Sequence, residues 1–380
     1  MKKSICILMI VLLCLASGCT KTEQVVKPVP PQSEEEIPAV VKIVTFGDNL
    51  MHIPVINSGK QSDGTYNYSH LFENFQPMIK ECDIAVMGQE TIFAGEHLGY
   101  SGYPLFNSPT DVGKSLADEG FDVVLHASNH VLDKWDRGIE NTLEFWENYP
   151  EITVLGINAT PEEKETVDIV EKNGIKIAMM NYTYGTNSLV LPKGKEYMVN
   201  YIDRKKIEKD LVYAEENADF SIVFIHWGVE NSTSASDEQK TLALDMCSWG
   251  ADLIVGSHPH VMQGAEWIES ENKNKAFVYY SLGNYVSRQI QVPNLLGGIS
   301  CVTIGRDGDK VEIVQAKLLP HVTHYDMTST KFDVYPLKDY TDELASVHGV
   351  GPKDGAVTKQ RFVDILENTF KDYDKEILIY

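Results

Sequence analysis

The stretch Ala251–His260, which reads ADLIVGSHPH, joins a short apolar run to two histidines and decides the fold class of this chain. The run does not alternate apolar with polar residues, which is typical of a strand that helices bury on both faces. Sheets of such strands bind ligands beyond the carboxyl ends of the strands. His258 and His260 stand at that end. The stretch therefore predicts an α/β fold with a functional site at one edge of a sheet.

Other apolar, β-prone runs in the chain also lead into polar residues. The runs VKIVTF, CDIAVM, FDVVLHA and FSIVFI are followed by Asp48, Glu90, Asn129 and His226. Because the carboxyl ends of parallel strands meet at one edge, these side chains should converge with the two histidines above. Carboxylate oxygen and imidazole nitrogen are ligands of divalent metals. The predicted metal ligands are Asp48, Glu90, Asn129, His226, His258 and His260.

Two of these residues are expected to organise a pair of cations. Asp48 directly follows a strand and is the natural ligand of the first ion, while Glu90 comes from a second strand end and is the natural bridge. A shared carboxylate can link two ions about 4 Å apart. Manganese, zinc or iron suit a mixed oxygen and nitrogen set. The expected cofactors are therefore two divalent metal ions.

The segment His258-Pro259-His260 is expected to be extended. A residue before proline is restricted to the β region, and alternate residues of an extended segment face the same side. Both imidazoles should then point to one site, whether they bind the same ion or different ions.

The pair Asn129-His130 predicts a division of roles. Asn129 would bind metal, while His130 would reach the substrate as a proton donor. Asp133, three residues later, would orient the imidazole of His130, although a carboxylate at the N-terminus of a helix explains Asp133 equally well.

The sequence says less about the roles of three further residues. His52 is either a ligand of the first metal or a loop residue that contacts substrate, and Asn284, in the weaker strand-end signal Gly283-Asn284-Tyr285, is open to the same two interpretations. His126 lies inside a predicted strand and is expected to be a core residue.

The first 18 residues have the features of a targeting segment, with Lys2 and Lys3 before a short apolar run. The segment Leu15–Cys19 resembles a bacterial lipobox in which Cys19 carries the lipid; cleavage without lipidation is the alternative. Residues 19–40 are rich in Pro, Glu and Lys and predict a disordered tether. We therefore expect an extracytoplasmic lipoprotein that its lipid anchors to the cell membrane.

The net charge argues against one class of function, and the cysteines are expected to be structural residues. The formal net charge is −22 and no basic patch is visible, which argues against nucleic-acid binding. Cys82, Cys247 and Cys301 remain after the leader, and each is expected to be a small buried hydrophobic residue. A disulfide such as Cys82–Cys247 cannot be assigned from the sequence.

The rest of the chain alternates strand and helix signals, which predicts one main domain at 41–325. Helices are predicted at 69–82, 203–217 and 237–249, and after residue 297 two antiparallel strands are joined by a turn at Gly305–Asp309. Residues 326–380 are expected to pack on this domain as a C-terminal extension. The predicted strands are 41–47, 83–88, 122–127, 153–157, 175–183, 221–226, 252–256 and 276–282.

These motifs resemble the bacterial CapA family, also called the poly-γ-glutamate capsule synthesis protein family, within the calcineurin-like metallophosphoesterase superfamily. The resemblance covers roughly residues 41–345 and rests on Gly47-Asp48, Glu90, Asn129-His130, His226-Trp227-Gly228 and Ser257–His260. The chain departs from the pattern in three places. Gly88-Gln89 precede Glu90 where Asn-Leu is usual, and Leu50 stands where the superfamily has a histidine. After Asp133 the family has a glycine sooner than this chain, in which Gly138 follows Lys134–Arg137.

The resemblance implies a four-layer α/β/β/α metallophosphoesterase-like sandwich with a dinuclear site at one edge. In that superfamily two ions activate water for in-line attack on phosphorus, and the histidine of the Asn-His motif protonates the leaving group. The implied function is biosynthesis of a capsule or cell-envelope polymer by a metal-dependent hydrolase. Its substrate would be an anionic envelope polymer or phosphoester, and a membrane synthase complex is an implied partner.

Two other functions are compatible with the same residues. One is a non-catalytic factor that binds the polymer or assembles the synthase. The other is a metal-dependent amide hydrolase that acts on polyglutamate.

Overall fold

Two β-sheets form the centre of the fold in the computed structural model, which describes residues 39–350 and 355–380. The strands are β1 (Val40–Asn49), β2 (Ile84–Gly88), β3 (Val123–Leu125), β4 (Thr153–Leu155), β5 (Asp168–Lys172), β6 (Ile175–Thr183), β7 (Phe220–His226), β8 (Leu253–Ser257), β9 (Ala265–Glu269), β10 (Lys275–Tyr279), β11 (Asn284–Val286), β12 (Leu296–Asp307), β13 (Lys310–Tyr325) and β14 (Phe332–Pro336).

The α-helices lie between these strands and after the last of them. They are α1 (Ile53–Ser58), α2 (Gln76–Glu81), α3 (Thr110–Glu119), α4 (Trp135–Trp146), α5 (Pro161–Lys164), α6 (Arg204–Asn217), α7 (Asp237–Ser248), α8 (Asp342–Ser346) and α9 (Lys359–Thr369). Short 3-10 helices are found at Ser69–Leu71, Glu73–Phe75, Glu96–Leu98, Glu196–Met198, Val292–Leu295, Leu337–Asp339 and Lys375–Ile377.

Each sheet has a parallel part that carries strand ends to one edge. The first sheet has the order β14-β13-β12-β1-β2-β3-β4, and β11 pairs with β1 outside this path. Its members β1 to β4 are mutually parallel, whereas β12 to β14 are antiparallel. The second sheet has the order β5-β6-β7-β8-β10-β9, with antiparallel strands at both of its edges. The predicted strands are confirmed, while β5, β9, β11 and β14 are strands that the sequence patterns do not predict.

The two sheets face one another, and helices cover their outer faces. Ile177 and Met179 of β6 belong to the same buried core as Phe46 of β1. The alternate residues Ala178 and Met180 instead share a core with the apolar residues of α6 and α7. Successive side chains of a strand point to opposite faces, so β6 is buried on both. The predicted four-layer α/β/β/α sandwich is confirmed.

The predicted helix at 69–82 is wrong as a single element. Two short 3-10 helices, Ser69–Leu71 and Glu73–Phe75, precede α2, which has Pro77 in its first turn. Proline has no amide hydrogen and its ring clashes with the preceding helical turn, so a helix can begin at this position but cannot run through it.

The predicted helices at 203–217 and 237–249 are confirmed. Asp203 caps α6 by accepting hydrogen bonds from the amides of Lys205 and Lys206. Ser236 and Gln239 form a capping box at the start of α7. These caps satisfy amide groups that have no partner within the helix.

The C-terminal residues contribute to the core that contains Phe46. Phe362 and Leu366 of α9 are completely buried there, and the Ile379 amide donates a hydrogen bond to the Leu318 carbonyl of β13. In the described parts of the chain, Cys82, Cys247 and Cys301 are free thiols.

The membrane-related predictions fall on residues outside the described ranges. The predicted leader, Cys19 and the tether up to residue 38 are not among the described residues. Across 39–350 and 355–380, none of the helices has the length and apolar character needed to cross a bilayer.

Candidate metal centre

The predicted ligands are brought together where five strands, β1, β2, β3, β7 and β8, end. Asp48 lies in the last two residues of β1, Glu90 follows β2 by two residues, and His226 is the last residue of β7. Asn129 lies in the loop after β3, and His258 directly follows β8. All of these side chains are buried. Parallel pairing places the carboxyl ends of β1, β2 and β3 at one edge of the first sheet and those of β7 and β8 at one edge of the second. The side chains from the two edges meet at the centre.

Glu90 occupies the middle of the centre. One carboxylate oxygen, Oε1, lies 3.8 Å from His226 Nε2, and the other, Oε2, lies 3.8 Å from His260 Nδ1. Neither oxygen has a hydrogen-bond partner among the described residues. A buried carboxylate without a partner is strongly destabilising unless a cation compensates its charge. The environment of Glu90 therefore fits a divalent cation.

Asp48 and His260 lie on one side of Glu90. Ligand atoms of Asp48, Glu90 and His260 all lie within 4.8 Å of one another, and His260 Nδ1 is 3.7 Å from Asp48 Oδ2. These three residues supply oxygen and nitrogen atoms of the kind that hold a divalent metal.

Asn129 and His226 form a second group beside Glu90, and His226 Nδ1 also lies 3.8 Å from Asp48 Oδ1. Asn129 Oδ1 is 2.8 Å from His226 Nε2, and the side-chain nitrogen of Asn129, Nδ2, donates to Asn187 Oδ1 at 3.2 Å. The other ring nitrogen of His226, Nδ1, is 2.9 Å from Ser257 Oγ. These bonds place Asn129 Oδ1 next to His226 Nε2, which faces Glu90 Oε1, so both atoms could serve as ligands of one ion.

The prediction that the segment His258-Pro259-His260 is extended is wrong. His258 has a φ of 94° and His260 a φ of 59°. The chain turns sharply after Ser257, and the His258 amide donates a hydrogen bond to Asp48 Oδ2 at 3.1 Å. Positive φ is unfavourable for residues with a side chain and persists only where the surrounding structure enforces it. Both rings nevertheless lie at the centre, with centroids 5.8 Å apart.

Burial sets the protonation of these groups. Burial lowers the pKa of His258 to about 4 and that of His260 to about 3, and it holds the pKa of His226 well below its usual value. All three imidazoles are therefore neutral near pH 7, with a lone pair available to a metal.

The two carboxylates respond in the opposite direction. Burial raises the pKa of Asp48, and burial together with the nearby charge of Asp48 raises the pKa of Glu90. A bound cation would reverse both shifts, because its charge would be the largest in the site.

His130 and Asp133 form a hydrogen-bonded pair beside the centre. His130 Nδ1 donates to Asp133 Oδ2 at 2.7 Å, and the Phe106 amide donates to the same oxygen at 2.7 Å. Burial raises the pKa of Asp133. Asp133 precedes α4 by two residues and its carboxylate holds the imidazole, which leaves His130 Nε2 without a bond to Asp133.

His52 lies outside both groups around Glu90. Its Nδ1 is 3.2 Å from the Leu50 carbonyl and 3.3 Å from the Arg288 amide nitrogen. Its ring packs against Phe106, which also packs against His130, with centroids 5.3 Å and 4.6 Å apart. His52 and the expected proton donor thus pack against the same phenyl ring.

Asn284 and His126 have clear positions. Asn284 Oδ1 is 3.0 Å from His260 Nδ1, so Asn284 belongs with the group that contains Asp48. His126 lies one residue beyond β3, and its Nε2 accepts a hydrogen bond from Trp146 Nε1 at 2.9 Å. It is a buried residue, as predicted.

The departure at Gln89 has a structural role. The Asn49 side-chain nitrogen, Nδ2, donates to Gln89 Oε1 at 2.7 Å. The Gln89 side-chain nitrogen, Nε2, donates to the carbonyl and hydroxyl of Thr91. Gln89 therefore links the ends of β1 and β2 beside Glu90.

Two residues that the sequence patterns do not identify border the centre. Glu230 is exposed and has a carboxylate oxygen within 4.8 Å of ligand atoms of His258 and His260. The Tyr184 ring lies over His258, with centroids 4.5 Å apart. The acidic residue four positions after His226 was an available signal for Glu230, whereas no local pattern marks Tyr184.

Comparisons with known proteins agree on one family. The family model described as "Bacterial capsule synthesis protein PGA_cap" matches residues 42–289, which is more than half of the chain. The "Capsule biosynthesis protein CapA" of Bacillus anthracis is 25% identical over 290 residues, which span 74% of this chain and 67% of that protein. The "PGA biosynthesis protein CapA" of Bacillus subtilis (strain 168) is 32% identical over 177 residues, 46% of this chain and 45% of that protein.

A solved structure is similar at much lower identity. The calcineurin-like phosphoesterase YfkN from Bacillus subtilis is 12% identical to this chain, with a TM-score of 0.40. The match covers 88% of this chain and 98% of that one.

Proposed function

Because the chain belongs to the bacterial capsule synthesis protein family PGA_cap, we propose that it acts in the biosynthesis of a capsule or envelope polymer of poly-γ-glutamate type. The names of the two Bacillus relatives, which refer to capsule and PGA biosynthesis, support this proposal. The match spans less than half of the Bacillus subtilis protein, so the substrate and partners belong to the proposal as well.

The activity that the geometry supports best is metal-dependent hydrolysis of a phosphoester on such a polymer or its precursor. The observation that carries it is Glu90, whose two buried oxygens lack hydrogen-bond partners in the described chain and face different nitrogen atoms. Asp48 and His260 would hold one divalent ion, and Asn129, His226 and His258 the other. When bound, two such ions would neutralise phosphate charge and lower the pKa of a water molecule.

The remaining chemistry belongs to His130 and Asp133. Asp133 accepts the hydrogen bond from His130 Nδ1, which fixes the ring and leaves Nε2 to carry a proton to the leaving oxygen. Because the carboxylate is buried beside the ring, it would stabilise the protonated imidazole. The same arrangement would serve a metal-dependent amide hydrolase acting on polyglutamate, so a substrate panel must include amides.

A non-catalytic polymer-binding or synthase-assembly factor is the second candidate. Leu50, at the position where the superfamily has a histidine, is buried and offers no ligand atom. A centre with one ligand fewer would still bind an anionic polymer through its cations without hydrolysing it.

Metal content and turnover test the proposal together. Purified protein loaded with Mn²⁺, Zn²⁺ or Fe²⁺ should contain two ions per chain by elemental analysis, and it should hydrolyse members of a phosphomonoester, phosphodiester and γ-glutamyl amide panel. Glu90→Gln keeps the size of the side chain and removes its charge, so it should lose metal and activity together. Absence of metal in the wild-type protein after loading with each ion would refute the centre. Two bound ions without turnover would favour the binding factor.

We also propose that the protein is held at the outer face of the cell membrane by lipid on Cys19. The lipobox-like segment Leu15–Cys19 and the Pro- and Glu-rich residues that follow it support this location. A diacylglyceryl group provides two chains, which stable anchoring requires.

A further inference from the structure

The ion expected beside Asp48 needs a ligand beyond the three that Asp48, Glu90 and His260 supply. Leu50 has no ligand atom, and His52 Nδ1 is already next to the Leu50 carbonyl and the Arg288 amide. Asn284 is the remaining polar side chain in contact with His260 Nδ1 among the described residues.

Strand pairing fixes Asn284 beside Asp48. The short strand β11 runs parallel to β1, and Asn284 is the register partner of Asp48. The Asp48 amide donates to the Gly283 carbonyl at 3.1 Å. The two strands approach so closely that a Cβ atom on Gly47 would lie 2.1 Å from that carbonyl oxygen. The position of Asn284 is therefore set by backbone contacts.

The surrounding hydrogen bonds also fix which end of the Asn284 amide faces the centre. Its nitrogen lies 2.8 Å from Gln289 Oε1 and 3.1 Å from Ser287 Oγ, with the carbonyls of His260 and Asn294 at 3.3 Å and 3.2 Å. Acceptors thus surround the nitrogen. Since an amide nitrogen donates and cannot accept, the oxygen must point the other way, towards the His260 ring.

The distances fit a shared cation. His260 Nδ1 lies 3.0 Å from Asn284 Oδ1, 3.7 Å from Asp48 Oδ2 and 3.8 Å from Glu90 Oε2. Neighbouring ligands of one ion with bonds of about 2.1 Å are separated by roughly 3.0–3.5 Å. The three distances from His260 Nδ1 are thus close to those that a coordination shell requires.

We propose that Asn284 Oδ1 is a metal ligand that completes, with Asp48, Glu90 and His260, a four-residue site for a divalent cation. The proposal rests on the metal centre of the proposed function and assigns the ligand that Leu50 does not supply. A purely positioning role, in which Asn284 only accepts a hydrogen bond from His260 Nδ1, is the alternative that the experiment must separate.

The first measurement is Mn²⁺ binding by the full chain, by titration calorimetry and by metal content after gel filtration. Wild type should bind two ions. Asn284→Ala should keep one and bind the other about 100-fold more weakly or worse, since loss of an outer-shell partner already weakens binding by about 10–100-fold.

Asn294→Ala is the matched control. The Asn294 side chain donates to the His260 carbonyl at 3.1 Å and to Asn231 Oδ1, so its loss loosens the same network without removing an oxygen from the centre. It should bind two ions. Weakening of the same size in Asn294→Ala would show that the network matters and the Asn284 oxygen does not, which would overturn the proposal.

The second measurement separates a ligand from a positioning residue and requires no variant. Anomalous diffraction from Mn²⁺-loaded wild-type crystals should place Asn284 Oδ1 about 2.2 Å from one ion. A distance above about 3 Å, with His260 between the amide and the ion, would overturn the assignment even if the affinity of Asn284→Ala falls. Wild-type protein that binds no Mn²⁺ would instead refute the metal centre itself, so the two failures are distinguishable.

Discussion

Glu90 gives the candidate metal centre a buried carboxylate whose charge a cation would neutralise. Its carboxylate is buried among three imidazoles whose pKa values are lowered and beside Asp48, and neither of its oxygens has a hydrogen-bond partner in the described chain. In the same region, the amide oxygens of Asn129 and Asn284 lie next to ring nitrogens. These contacts bring together oxygen and nitrogen atoms of the kind that bind metal.

At the scale of residues, replacing Asn129 or His130 by alanine should have different effects on metal retention and hydrolysis. Asn129→Ala removes a proposed ligand, so it should weaken metal retention and activity together. His130→Ala should keep both metals and the fold but slow hydrolysis by roughly 10²–10⁴-fold, because it removes the proton donor. The loss should shrink for a nitrophenolate leaving group, which needs little protonation. Equal losses on good and poor leaving groups would remove His130 from the mechanism.

A buried histidine outside the centre predicts acid sensitivity. Burial lowers the pKa of His126 to about 3, whereas an unfolded histidine has a pKa of about 6.5. The unfolded chain therefore binds a proton that the folded chain does not, and the stability that neutral His126 contributes above about pH 6.5 is lost as the pH falls towards about 3. The loss is about 1.4 kcal/mol per pH unit for one group.

His126→Gln tests this directly. Glutamine does not titrate, and its oxygen can accept the hydrogen bond from Trp146 Nε1. Between about pH 6 and pH 4, the free energy of unfolding of the metal-free variant should fall about 1.4 kcal/mol per pH unit less steeply than that of wild type in urea titrations. The other buried histidines contribute equally to both proteins. Parallel curves would contradict the prediction.

At the scale of elements, the pairing of β11 with β1 is as important as the parallel strands. It depends on Gly47, whose added Cβ would lie 2.1 Å from the Gly283 carbonyl oxygen. The sequence patterns do not predict this short strand, because three residues carry too little pattern to distinguish a strand from a turn.

Gly47→Ala should therefore separate β11 from β1. We expect it to lower the free energy of unfolding by about 1–3 kcal/mol, as overpacking generally does, and to weaken metal binding because Asp48 and Asn284 move apart. Gly185→Ala is the control, since a Cβ there would meet open space. Urea denaturation and Mn²⁺ titration of both variants decide the matter, and equal stability of the two would count against the close approach.

At the scale of the whole molecule, the last helix is part of the main core. Phe362 is completely buried against residues of the first sheet and its helices. Phe362→Ala should cost about 3–5 kcal/mol, because it leaves a cavity. Asp364→Ala, on the exposed side of the same helix, should change stability by less than about 0.5 kcal/mol. Thermal or urea unfolding compares them, and a small effect of Phe362→Ala would mean that α9 packs loosely.

Membrane attachment is also a property of the whole molecule. Cys19→Ala should abolish lipid attachment and move the protein from the membrane fraction to the soluble extracytoplasmic fraction. Mass spectrometry of the N-terminus and cell fractionation measure the two effects. Unmodified Cys19 in wild-type protein would contradict the lipoprotein proposal.

The sequence alone determined the α/β class, most strands and the positions of the predicted ligands, and the family resemblance implied the two-sheet sandwich. Apolar runs such as FSIVFI mark buried strands, and polar residues at their ends, such as His226 and Asp48, are visible in the same local segments. The family assignment follows from these segments and agrees with the PGA_cap match. This information is local, because strand propensity and the residue that follows a strand depend on a few neighbouring positions.

Only the tertiary structure decided how the ligands face one another. His258 adopts a positive φ, and its backbone amide donates a hydrogen bond to Asp48, which lies 210 residues earlier in the chain. Tyr184 borders the centre without any local signal, and Asn284 reaches it through a strand pairing with β1. These features depend on contacts between distant segments, and the energy of those contacts overrides the preference for an extended backbone that Pro259 imposes on His258.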